Sequence, residues 1–114
     1  MSSVNKDNYV EILRREFSGE DGSFILALRP DLEWDEVAYA RLIQAMEICC
    51  NEWAHEQVID RWLAKGFWYI PGFVKDWTSH PSFPRVHPDD YYEQAYEQLW
   101  WLADQFFVGE PITS

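Results

Sequence analysis

Between Pro88 and Gly109 the chain runs for 20 residues with no proline, no glycine and one unbroken apolar period. Tyr92, Ala95, Tyr96, Leu99, Leu102, Ala103 and Phe106 recur at steps of three and four, the stripe of an amphipathic helix. Proline suits the opening turn of such a helix, and glycine suits the left-handed residue that closes it. A stripe of this length has to be buried against other elements, so the feature commits the chain to helix-on-helix packing.

The rest of the sequence supplies partners for it. Tyr9, Ile12, Leu13 and Phe17 predict a first helix over about Asn5 to Phe17, ended by Ser18-Gly19. Ser23 to Leu28 fits a short strand or a helical turn; with no strand partner in view, a short helix or extended segment is expected, interrupted by Pro30. Asp31 or Asp35 is placed to cap the helix after it. That second helix, a long one, is expected from Trp34 to His55, with Val37, Ala38, Arg41, Leu42, Ala45, Ile48, Cys49 and Glu52 on successive turns. Glu56 to Lys65 reads as a third helix with Val58, Ile59, Trp62 and Leu63 inward and Gly66 as its cap. A short helix from Pro71 to about Trp77 comes next, and Pro81, Pro84 and Pro88 make Thr78 to His87 an extended loop. The expected fold is therefore one all-α domain over residues 1–114. It is an irregular bundle of about four main helices with a proline-rich loop before the C-terminal one.

Composition narrows the class of activity. Twenty acidic against nine basic residues give a formal charge of −11, which repels nucleic-acid phosphates and anionic membrane surfaces and favours basic partners. Met1 to Ser18 has no apolar signal core, and no apolar run is long enough to span a bilayer. Cys49 and Cys50 are neighbours on one helix, where a disulfide would be strained and close no useful loop; reduced thiols and a cytoplasmic location are expected.

Catalytic patterns are weak. Glu52 and His55 form a Glu-x-x-His pair on the expected second helix, but a di-iron bundle needs two such pairs and further inward carboxylates. His80, His87, His55 and the two cysteines match no paired zinc-ligand spacing. Asp89 and Asp90 sit where a helix N-terminus favours anions without any catalytic role. There is no nucleophile elbow and no glycine-rich phosphate loop. The expectation is a protein that is not an enzyme and holds no cofactor or metal.

What stands out is the pairing of acids with aromatics near the C-terminus. From Val86 to Ser114 there are six acids, no Lys or Arg, and Tyr91, Tyr92, Tyr96, Trp100, Trp101, Phe106 and Phe107. Aromatics dominate interface hot spots, and an unbalanced field steers an oppositely charged partner. Trp100 and Trp101 point roughly 100° apart on a helix, so one of them leaves the core. Glu93, Glu97, Trp101 and Asp104 fall off the inward stripe and, with Tyr91, form the expected protein-binding face.

His80-Pro81-Ser82 followed by Asp90-Tyr91-Tyr92 resembles the colicin-nuclease immunity proteins, which are small acidic helical bundles with a His-Pro-Ser segment and a Tyr pair at the inhibitory surface. The resemblance implies an inhibitor that occludes a basic, nuclease-type toxin. Two other expectations stand beside it. One is a structural subunit or homodimer joined through a Trp-rich face. The other is a helical-bundle metal or ligand site around Glu52 and His55.

Overall fold

The computed structural model describes residues 4–112, with only the backbone described at Pro30 and Asp31. Five helices follow in order: α1 (Tyr9–Phe17), α2 (Phe24–Asp31), α3 (Glu36–Glu52), α4 (Arg61–Thr78) and α5 (Asp89–Val108). The expected all-α irregular bundle, with a proline-rich loop before its last helix, is the fold observed. Among the described residues no helix is long and apolar enough to cross a membrane.

α5 forms as its punctuation dictates. Pro88 stands at its N-cap, and Gly109 closes it at φ 84°, donating its N–H to the Gln105 carbonyl at 3.0 Å. Its buried residues are Tyr92, Ala95, Leu99, Leu102, Ala103 and Phe106, and this stripe packs mainly against α4 and secondarily against α3. Tyr96, expected inward, is only half-buried, with the Lys75 ammonium over its ring. α1 leans on α3, and the short α2 bridges α1, α3 and α4. Leu13, Phe24, Leu28, Leu42, Met46, Leu63, Phe67, Val74, Leu99 and Leu102 form the fully buried centre.

Three boundaries of α2 and α3 differ from expectation. α2 runs through Pro30 to Asp31, because Ser23 caps it by accepting the Leu26 N–H at 3.2 Å and Leu32 ends it in the left-handed region. α3 begins after Asp35, whose carboxylate accepts the Ala38 N–H at 3.0 Å, and stops at Glu52 instead of His55. His55 itself is left-handed, φ 70°, and donates its N–H to the Gly109 carbonyl at 3.1 Å, so the α3–α4 connection is tied to the end of α5.

The largest difference is α4. The expected helix from Glu56 to Lys65 and the expected short one from Pro71 are one helix of 18 residues, Arg61–Thr78, running through Gly66 and Pro71. Phe67, Ile70 and Val74 keep one face of it buried, and that burial outweighs a single missing N–H at Pro71. Gly66 is used for proximity and not as a cap: a Cβ there would overlap the Phe17 ring, which packs edge-on against Trp62 and Phe67. Val58, expected inward, is 79% exposed because residue 58 lies outside any helix, and Val37, in the first turn of α3, is 75% exposed.

Glu16 is the charged side chain among the buried polar residues Glu16, Ser23 and Thr78. It lies on the α1 stripe with Tyr9 and Leu13 and is fully buried. One carboxylate oxygen accepts the Phe24 N–H at 2.9 Å, and the other accepts from Arg41 Nε and Nη2 at 3.2 and 2.9 Å. Arg41 Nη2 also donates to the Gly22 carbonyl at 2.6 Å. Phe24 is the first residue of α2, where a backbone N–H has no partner within the helix. A single buried carboxylate thus joins α1, the start of α2 and α3.

Cys49 and Cys50 are both free and buried. Burial, with the Glu47 charge adding, pushes the Cys50 thiol up to about 12, and burial raises Cys49 as well. Because the thiolate is the reactive form, neither should react with iodoacetamide in the folded protein near pH 8, whereas both should react in denaturant. Intact mass before and after unfolding checks this; one adduct on the native chain would place a cysteine at the surface.

Candidate functional site on α5

The outward side of α5 carries two kinds of exposed side chain. Glu93, Glu97 and Asp104 are exposed carboxylates, and none makes an ion pair among the described residues. Interleaved with them, Trp100 is 52% and Trp101 48% exposed, and Phe107 and Val108 continue the exposed apolar surface toward the helix end. The spacing 93, 97, 101, 104, 108 is the helical period again, displaced to the solvent side. Asp89, in the first turn, is engaged by Arg85 at 3.0 Å, so the unpaired charge begins at Asp90 and Glu93.

Two grooves flank this ridge. The one on the α3 side has a volume of about 500 Å³ and is lined by Tyr39, Tyr91, Gln94, Glu97, Gln98 and Trp101. Its floor is fixed, because the Tyr39 hydroxyl lies 3.2 Å from the Ala95 carbonyl oxygen and 2.9 Å from Gln98 Oε1. The groove on the α4 side has a volume of about 640 Å³ and sets Lys75 and Arg85 opposite Asp89, Glu93 and Glu97. Glu97 stands on the crest between them, shared by both.

Tyr91 is held differently from the others. It is half-buried: its hydroxyl accepts the Trp34 indole N–H at 3.1 Å, and its ring stacks on His87 at 4.0 Å. Burial raises its pKa above the usual 10. His87 in turn places Nε2 3.0 Å from Glu36 and donates its backbone N–H to the Tyr92 hydroxyl. These contacts lock the α5 N-terminus onto α3 and leave one edge of the Tyr91 ring on the groove.

Of the residues expected at a binding face, the structure brings Glu93, Glu97, Trp101 and Asp104 onto one exposed ridge and sets Tyr91 at its rim. Sequence reasoning left out Trp100, Phe107 and the two glutamines. Trp100 follows Leu99 by 100° and Phe107 follows Phe106 by the same step, so helical projection alone would have put both at the boundary. The pair Glu52 and His55, expected on one helical face, is split: α3 ends at Glu52, which lies 3.8 Å from Lys6, and His55 turns into the following loop. Among the described residues no three His, Cys, Asp or Glu side chains gather closely enough to hold a metal.

Comparison with known proteins finds no matching family model, curated relative or solved structure.

Proposed function

We propose that this chain is a protein-binding module that uses the outer face of α5 to occlude a basic partner, in the manner of an immunity or antitoxin-type inhibitor. The observation that carries the reading is the ridge itself: Glu93, Glu97 and Asp104, without an ion pair among the described residues, alternating with exposed Trp100 and Trp101 on a chain of charge −11. The carboxylates would speed encounter, and the indoles would supply contact area once the partner docks. The reading is of a binder rather than an enzyme, working in a reducing cytoplasm, which the two buried free thiols support.

A homodimer through a Trp-rich face is the second reading, favoured by Trp68, which is 69% exposed on α4. An isologous contact along the ridge would set Glu93, Glu97 and Asp104 of one copy against the same acids of another, which disfavours it there.

The test is kinetic. Immobilised chain should retain a basic protein from extract of its own host, and the association rate should fall steeply with added salt. Changing Glu93, Glu97 and Asp104 together to the amides should slow association and flatten that salt dependence, with little change in dissociation. Trp101→Ala should instead speed dissociation, at a cost of about 2 kcal/mol. Binding indifferent to both salt and Trp101 would reduce the ridge to a solvated surface.

A further inference from the structure

Away from the ridge, a cavity of about 750 Å³ lies between α1, α2 and α4. Its walls are aromatic and aliphatic, with Phe17, Trp62, Tyr69 and Phe73 among them. Its charges are nearly all of one sign. Arg14, Arg29 and Lys65 line it against Glu20 alone, in a protein that has only nine basic residues to place. Neither Arg29 nor Lys65 makes an ion pair among the described residues, and the Arg14 guanidinium lies 4.2 Å from the centre of the Trp62 ring.

Trp62, one of the lining rings, carries a distinctive reporter. Its indole Nε1 is buried and has no hydrogen-bond acceptor, the one such side-chain atom among the described residues. Buried donors are nearly always satisfied, so this one is unusual, and it lies on a ring that lines the cavity. Trp34 and Trp53, by contrast, donate to Tyr91 and Tyr9.

We propose that this cavity is a binding site for a small amphipathic anion, a planar apolar body bearing one carboxylate. The volume falls within the range of small-molecule sites, and aromatic walls with a few convergent polar groups are their usual lining. The aromatic body would pack among Phe17, Tyr69 and Phe73, and the carboxylate would accept from Arg14, Arg29 and Lys65. The overall negative field does not forbid this, because charges beyond about 8 Å are screened at physiological salt while the lining cations are in contact. The site is separate from α5, so it stands whether or not the ridge binds a partner.

Titration of isotope-labelled protein with 2-naphthylacetate tests it, followed by the Trp62 indole N–H resonance identified through Trp62→Phe. The expected result is saturable movement of that resonance and of the Gly19 and Gly66 amides, with a Kd below about 1 mM. The corresponding neutral alcohol should bind at least about tenfold more weakly, and the corresponding ammonium should not bind. Arg29→Gln with Lys65→Gln should weaken the acid by about tenfold or more while leaving the melting temperature near wild type, since both side chains are exposed. No saturation by about 1 mM, equal binding of acid and alcohol, or shifts confined to other parts of the chain would each overturn the assignment.

Discussion

Replacing Phe67 by Ala is expected to destabilise the protein by about 3–5 kcal/mol, the range for removing a buried aromatic from a core that cannot collapse around the gap. Phe67 is 0% exposed. Its ring stacks on Phe106 of α5 at 4.2 Å with an interplanar angle of 7°, and meets Phe17 of α1 edge-on at 5.8 Å. Those contacts join three helices at the point where Gly66 lets α1 approach, so no neighbour is free to move in. Trp68→Ala is the matched control: that side chain is 69% exposed, and its loss should stay within about 0.5 kcal/mol. Urea unfolding of both variants measures the contrast. Equal and small losses would mean that α4 does not continue through Gly66 in the register described.

That contrast also marks where the sequence is and is not readable. α5 is legible because its punctuation and its period agree: Pro88 before, Gly109 after, and one stripe between. α4 is not, because Gly66 and Pro71-Gly72 are local stop signals that tertiary packing overrides. Local propensity counts a missing Cβ as a helix end; only the position of Phe17, 49 residues earlier in the chain, shows it to be a point of close approach. The end of α3 is hidden for a similar reason, since the bond from His55 to Gly109 joins distant segments. The acids of the ridge are visible from their sign and spacing. Trp100 is left off the expected face because one exposed indole accounts for the adjacent pair, whereas both lie beyond the stripe. The cavity lined by Arg14, Arg29 and Lys65 is invisible, because those residues come from three helices whose relative placement no local pattern encodes.

Glu16→Ala is expected to cost about 3–5 kcal/mol, the usual consequence of removing one partner of a buried ion pair. The loss comes less from the pair itself than from what remains: a half-buried Arg41 guanidinium and the Phe24 N–H, both without their acceptor. Glu16→Gln separates the two contributions. An amide oxygen can still accept the Phe24 N–H, but its NH₂ group faces a cation, so the cost should be smaller than that of Ala. Acidity then distinguishes the charged from the neutral form. Burial raises the Glu16 pKa above the ordinary carboxylate value, opposed by the Phe24 N–H and by Arg41. A carboxyl raised on folding binds its proton more tightly in the folded state. Its contribution is therefore complete below the unfolded pKa of about 4.3 and declines as pH rises through the folded pKa. The stability gap between wild type and Glu16→Gln should accordingly be wider near pH 4 than near pH 7. Paired unfolding curves at the two pH values read this directly. A gap that widens toward pH 7 would mean that Arg41 outweighs desolvation, leaving Glu16 with a lowered pKa and making the clamp a source of acid lability.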